Sequence, residues 1–347
     1  MVKSIQLLRV QFGMILYFAF FATGCQWYGY LYDKNVSTPD GESVYIEIPT
    51  GSTYDDVLRL LEEKSILIQT EGFRWVAEKK NYNKQVKPGR YKIQNGMTNT
   101  ELVNLLRSGR QSPVKVSFHY VRTLEQLAGK VAAKIEADST EVLSAMLNSD
   151  WYQSFGADSL TALLLFIPNT YEFYWNTNGE QFVKRMGDEY RKFWNEERRS
   201  KAESMRLSPS EVGVLASIVQ AEQSQKQDEW PRIAGLYMNR IEKGMLLQSD
   251  PTVVYAHGDF GLKRVLLRHL EIDSPYNTYK YAGLPPGPIV LPEPAAIDAV
   301  LNYEHHNYIY MCAREDFSGY HNFAVTLTEH NRNAEKYQRA LNRNRIY

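Results

Sequence analysis

The sequence has little sulfur chemistry, no excess of either charge and none of the common catalytic signatures. Its 2 cysteines, Cys25 and Cys312, lie far apart in 347 residues, so neither a structural disulfide nor a cysteine-based metal site is expected. Lys+Arg and Asp+Glu both total 40, a balance that argues against a nucleic-acid partner. His-Glu-x-x-His, Gly-x-Ser-x-Gly and a glycine-rich phosphate cradle are all missing, which removes the zincin, serine-hydrolase and P-loop readings. No internal repeat or low-complexity tract is present. His305, His306, His321 and His330, with Glu304 and Glu329, follow no standard ligand spacing. Hydrogen bonding and packing are their expected roles, and neither a metal nor a cofactor is expected. Aromatic residues abound, with 24 Tyr, 14 Phe and 6 Trp; such rings suit carbohydrate faces but also fill cores, so abundance alone does not choose between the two.

The chain carries no charge between Arg9 and Asp33. Residues 12–32 are long enough, as a helix, to cross a bilayer core of ~30 Å. Lys3 and Arg9 on the N-terminal side place residues 1–11 in the cytoplasm and the rest outside it by the positive-inside rule. Trp27, Tyr28, Tyr30 and Tyr32 would then form an interfacial aromatic belt. A cleaved signal peptide is the first rival, but no clean small-x-small site follows. The second is a lipoprotein, with Thr23-Gly24-Cys25 as a lipobox-like end and Cys25 lipidated. A retained anchor is the preferred reading.

Beyond it the expected fold class is α+β, with a small module over 43–110 and a catalytic domain. Val44–Pro49 alternates as a strand, and Ser52 or Thr53 can cap a helix that places Val57, Leu60 and Leu61 on one face. A second helix carries Phe73, Val76 and Ala77, residues 86–93 turn into a short strand, and Asn99–Gly109 is helical. This βααβ pattern resembles a LysM module, which implies glycan binding; a structural spacer explains it as well. Residues 111–203 form a connecting α+β region that contributes to the catalytic domain, with a strand at 113–118 and broken helix over 123–151. Residues 163–174 leave open a loop that presents Tyr171, Glu172 and Tyr174, or a strand that closes a core. Gly179–Glu203 is predicted as one amphipathic helix, with Phe182, Met186, Tyr190 and Phe193 inward.

Residues 204–347 form the expected catalytic core. Ser208, Pro209 and Glu211 spell a capping box with proline in the first turn. Val212, Leu215, Ala216 and Val219 then repeat at helical spacing, and Glu222 falls on the same apolar stripe. A carboxylate there is costly unless paired, so Glu222 is either salt-bridged, solvent-reaching, or held protonated as a general acid requires. A second helix runs from Trp230 to Arg240 and stops at Gly244. Asp250 before Pro251 starts another, and capping or a site role would each explain it. Tyr276–Tyr279 and Gly283–Ile289 are stiff loops. Residues 308–312 and 321–325 pair as a hairpin before a last helix.

In order along the chain stand Ala216-Ser217-Ile218-Val219-x-x-Glu222, Asn239-Arg240, Gly244-Met245-x-Leu247-Gln248-Ser249-Asp250-Pro251-Thr252-Val253, Tyr276-Asn277-Thr278-Tyr279, Gly283-Leu284-Pro285-Pro286-Gly287-Pro288-Ile289 and His321-x-Phe323. Together they resemble the endolytic murein transglycosylase (MltG, YceG-like) family across nearly the whole chain. The resemblance implies a membrane-anchored lyase that cleaves the MurNAc-β-1,4-GlcNAc bond of nascent peptidoglycan strands near their synthases. Glu222 matches the family's catalytic glutamate. Tyr171, Asn239, Gln248, Asp250, Tyr276, Asn277, Thr278, Tyr279 and His321 are the substrate-binding residues the resemblance suggests. Two positions depart from the pattern: Gln220 stands where many members carry Glu, and Asn169 stands where the family's Pro-Asp-Thr loop has its acid. Two other functions remain in play: a two-carboxylate glycoside hydrolase using Glu222 with Asp250, and a non-catalytic glycan-binding scaffold.

Overall fold

The computed structural model describes residues 26–262 and 264–344. Helices dominate, and the described strands form three two-stranded sheets. The chain divides into two compact units. One holds residues up to Lys115 with Lys134–Glu136 and Glu172–Thr177; the other holds Val116–Ala133, Ala137–Tyr171 and everything from Asn178 onward.

In the first unit, β1 (Val44–Ile48) pairs antiparallel with β2 (Gly89–Ile93), Val44 opposite Ile93. Strand alternation sends Ile46, Ile48, Tyr91 and Ile93 into a core that excludes solvent from all four, while Glu47 and Lys92 face out. Between the strands run α1 (Tyr54–Glu63) and α2 (Thr70–Lys79), and α3 (Asn99–Ser108) follows. Thr53 with Asp56, and Thr98 with Glu101, close capping boxes on α1 and α3. These caps satisfy amides that a helix start otherwise leaves bare. Phe73, Leu61 and Leu106 complete the core.

Residues 12–25 of the expected membrane span lie outside the described residues. Gln26–Tyr32 is helical. Trp27 stacks on Trp75 of α2 at 6.2 Å between ring centroids, and the Tyr30 carbonyl accepts a bond from Asn99 Nδ2 at 3.0 Å. Two of the rings expected in an interfacial belt therefore pack on this unit: Trp27, and Tyr30, which also meets Trp75. No described helix is long and apolar enough to cross a membrane.

The second unit contains α4 (Leu124–Ala132), α5 (Ser139–Met146), α6 (Ser149–Gln153), α7 (Gly179–Phe193), α8 (Glu196–Ser204), α9 (Pro209–Glu222), α10 (Trp230–Glu242), α11 (Asp250–His257), α12 (Pro294–Leu301) and α13 (Leu327–Arg343). β3 (Val114–Phe118) pairs with β4 (Asn169–Phe173), so residues 169–173 are strand rather than a presenting loop. Tyr171 points inward while Glu172 and Tyr174 face solvent. β5 (Tyr310–Ala313) and β6 (His321–Ala324) form the expected hairpin, with Ala313 opposite His321. The single helix expected over 179–203 is broken at Trp194. Asn195 leaves helical geometry to cap α8, accepting from the Arg198 amide at 3.0 Å.

The centre of this unit is α9, which packs against α8, α10, α11 and α12. Every residue from Val212 to Gln220 is buried, so the helix is enclosed all round rather than along one stripe. Beside it, α10 approaches the chain at Glu304 closely. A Cβ on Gly235 would lie 2.2 Å from the Glu304 carbonyl oxygen, so that crossing admits only glycine. Gly244, at φ +64°, ends the α10 segment.

Candidate active site

The site begins at the capped start of α9. The Ser208 amide donates to Glu211 Oε2 at 2.7 Å, and Ser208 Oγ accepts from the Glu211 amide at 3.2 Å. Two polar side chains within the buried run bind neighbouring backbone. Ser217 Oγ accepts from the Ile289 amide at 3.1 Å and so holds the proline-rich loop. Gln220 Oε1 accepts from the Glu293 amide at 2.7 Å, at the start of α12. Gln220 is 5% exposed and committed to backbone.

Glu222 is the last residue of α9 and opens on a cleft of about 290 Å³. Its Oε1 accepts two bonds, from the Tyr237 hydroxyl at 2.8 Å and from Ser249 Oγ. Among the described residues its Oε2 has no hydrogen-bond partner, and Glu222 makes no ion pair. Arg240, whose side chain lines the cleft, is engaged elsewhere. Its Nε donates to the Ile309 carbonyl at 2.7 Å and its Nη1 to the Leu247 carbonyl at 2.7 Å. Burial raises the Glu222 pKa above the ordinary carboxylic range; the bonds from Ser249 and Tyr237 offset this only in part, and the charge of Asp250 adds to the rise. Burial, reinforced by the charge of Glu222, also holds the Tyr237 phenol well above its usual value, so it stays a donor.

Both donors converge on Oε1. In the neutral acid the oxygen that accepts two bonds is the carbonyl oxygen, which leaves Oε2 to carry the proton. That is the arrangement a proton donor needs.

On the hairpin side, His321 Nδ1 lies 2.9 Å from Glu229 Oε2, and the His321 amide donates to Glu229 Oε1 at 2.9 Å. Gln223 Nε2 adds a third bond to Glu229 at 2.7 Å. Burial opposes ionisation of Glu229, but these bonds outweigh it and hold its carboxyl below the usual range. The result is a fixed anion that orients His321 at the cleft wall.

Of the sequence-suggested residues, Glu222, Gln248, Asp250, Tyr279 and His321 line one cleft. Asp250 does not cap its helix; Ser249 occupies the cap position, and Asp250 Oδ1 instead accepts from the Tyr279 hydroxyl at 2.6 Å. Asn239, Asn277 and Thr278 are spent on the framework. Asn239 Nδ2 donates to the His306 and Tyr308 carbonyls at 2.8 and 2.9 Å. Asn277 Nδ2 donates to the Leu270 and Ile272 carbonyls at 2.9 and 2.8 Å. Thr278 Oγ1 accepts from the Ser249 amide at 3.0 Å, which places the Ser249 hydroxyl against Glu222. Tyr276 packs on Tyr255 at 4.7 Å. Tyr171 stacks on Phe118, and its hydroxyl donates to the Ile167 carbonyl at 2.7 Å; it is not among the cleft's lining residues. Sequence reasoning missed Tyr237, Ser249, Arg240 and Glu229. Ser249 and Arg240 lay within quoted motifs, but nothing in the sequence signalled Tyr237 or Glu229.

A mixed helix-and-strand fold whose enclosed helix ends in a buried glutamate of raised pKa, with Asp250 at the same cleft, defines a candidate acid–base site. Residues 46–336 match the YceG-like family, and the chain belongs to it. A Bacillus subtilis (strain 168) protein named endolytic murein transglycosylase is 28% identical over 330 residues, 89% of this chain and 89% of that protein. A Streptococcus pneumoniae (serotype 2, strain D39 / NCTC 7466) protein of the same name is also 28% identical; the alignment covers 90% of this chain and 62% of that longer protein. The crystal structure of a YceG-like protein from Listeria monocytogenes superposes with a TM-score of 0.56 at 29% identity, covering 84% of this chain and 98% of that one.

Proposed function

We propose that the protein is a membrane-anchored endolytic peptidoglycan lytic transglycosylase. The observation that carries the reading is Glu222, whose Oε1 is bound twice while Oε2 has no hydrogen-bond partner and the carboxyl no ion pair among the described residues at the cleft. The names borne by the relatives from Bacillus subtilis and Streptococcus pneumoniae support it.

In the reaction, Glu222 Oε2 gives its proton to the glycosidic oxygen as the C1–O4 bond of the muramyl residue breaks. The GlcNAc chain leaves as an alcohol. The resulting carboxylate takes the proton of the muramyl 6-hydroxyl as O6 bonds to C1, which yields a 1,6-anhydro end and returns Glu222 to its starting form. One carboxyl suffices because an internal hydroxyl replaces water; a hydrolase normally needs two carboxyls set at a defined separation. Tyr237 and Ser249 keep the carboxyl oriented through both proton transfers. Gln248, Tyr279 and His321 are placed to meet the sugar's N-acetyl and hydroxyl groups.

The LysM-like pattern of residues 43–110 supports a glycan-holding role for that module, with catalysis left to the core at 204–347, to which 111–203 contributes. The uncharged stretch at 12–32, with Lys3 and Arg9 before it, supports a single-pass anchor at the inner membrane, with the catalytic part on the periplasmic side among peptidoglycan synthases. Sedimentation with membranes after Cys25→Ala checks the anchor, since release by that change would indicate lipidation.

Asp250 at the same cleft favours a second reading, a two-carboxylate hydrolase. Mass spectrometry of digested strands decides. Anhydro-muramic ends support the lyase, ends bearing added water support the hydrolase, and no cleavage at all leaves a glycan-binding scaffold.

A further inference from the structure

A second groove, of about 770 Å³, adjoins the cleft: Asp250 lines both, and Ala221, next to Glu222, lines the groove. Its walls include Tyr120, Arg122, Phe260 and Arg264. The Arg122 guanidinium lies 4.1 Å from the Phe260 ring centroid and 5.0 Å from that of Tyr120. Tyr120 and Phe260 are 49% and 45% exposed, so the stack is built at an open surface rather than as core. Arg122 Nη2 donates to the Tyr120 hydroxyl at 3.4 Å, and neither Arg122 nor Arg264 makes an ion pair among the described residues. The one carboxylate among the groove's lining residues, Asp250, already accepts from Tyr279.

We propose that this groove receives the acidic peptide stem of the glycan strand, with Arg122 and Arg264 as its carboxylate receptors. The proposal rests on the transglycosylase reading. A cut within a strand requires substrate on both sides of the scissile bond, and a cleft of about 290 Å³ is at the small end for a single ligand site. The strand therefore extends beyond it, and the groove continues from the acid on the Asp250 side. Sugars are neutral and call for rings and amides. The stem on each muramyl lactyl group carries free carboxylates, and two uncompensated guanidinium forks answer those. Stacking on Phe260 and Tyr120 fixes the plane of the Arg122 fork in advance, which reduces the ordering needed on binding.

The test compares strands that bear stems with the same strands stripped of them by an amidase, by kcat/KM for release of anhydro ends. The full-chain Arg122→Ala/Arg264→Ala variant lowers the ratio of the two values by ~10-fold or more, the size of lost charge-assisted bonds. Arg122→Lys/Arg264→Lys restores most of the ratio. An equal fractional loss on both strands overturns the proposal. A titration of the Glu222→Gln protein, which does not depend on lysis, uses a synthetic muramyl peptide with free carboxylates and its amidated counterpart. Tighter binding of the free form, abolished by the double alanine change, supports the groove; equal affinity overturns it. If the wild type releases no anhydro ends from either strand, the transglycosylase reading falls, and the titration still decides what the groove binds.

Discussion

The Glu222→Gln change replaces one ionisable oxygen with an amide nitrogen and alters little else. The carbonyl of the new amide occupies the place of Oε1 and continues to accept from Tyr237 and Ser249, so the geometry of the helix end survives. What is lost is the ionisable oxygen at the cleft. General acid–base catalysis by one group contributes ~10²–10⁴-fold, and here the same group acts in both directions, so activity should fall by at least that factor. Stability should move the other way. Burial raises the Glu222 pKa in the folded protein above its unfolded value. Ionised Glu222 therefore costs folding free energy at every pH above the folded value, and the cost fades as pH falls through that window to the unfolded pKa. Each pKa unit corresponds to about 1.4 kcal/mol, and each kcal/mol shifts Tm by roughly 2–4 °C in a domain of this size. The variant should melt higher than wild type at pH 7 and at the same temperature near pH 3. Anhydro-end release and thermal melts across pH read both effects. A variant that retains activity, or one that melts lower at neutral pH with the gap persisting in acid, would refute the reasoning.

Other changes probe the surroundings. Tyr237→Phe keeps the buried ring and deletes one donor to the carboxylate, so the acid holds its proton to higher pH; the alkaline limb of the pH–rate profile should move up, and an unmoved limb would show that the bond is idle. Asp250→Asn should leave anhydro products with an activity loss of no more than ~10-fold, because Asp250 is bound by Tyr279 and takes no proton in the lyase route; abolition together with hydrated ends in the wild type would favour the hydrolase. Gly235→Ala drives a methyl group into the Glu304 carbonyl and should lower stability by ~1–3 kcal/mol in urea unfolding, with an unchanged midpoint counting against the tight crossing.

Much of this was legible in the chain because the signals are local. Ser208, Pro209 and Glu211 announce α9, and helical phase brings Glu222 to its apolar side. The full enclosure of α9 was not legible in the same way, because the face opposite Leu215 carries Gly213, Ser217 and Gln220, small or polar residues whose burial depends on what packs over them. The break at Trp194 was harder, because helix-favouring residues run through it and only Asn195 marks the new start. The environment of Glu222 was not readable, because Tyr237 and Ser249 arrive from α10 and the start of α11, positions that only tertiary packing relates. Asn239 and Asn277 show a further limit. An amide that suits an N-acetyl group suits a loop carbonyl equally, and in this fold the carbonyls take both.

Glu222 also stands at the C-terminal end of a 14-residue helix, and that end carries a pole. The aligned peptide dipoles of α9 sum to roughly half a negative charge at its last turn. A carboxylate at the opposite end would be welcomed as an anion and would make a feeble base. At this end the anion is resisted, so the proton, once surrendered, is strongly drawn back. A single residue asked first to give a proton and then to retrieve one is served by a backbone that makes its charged state short-lived.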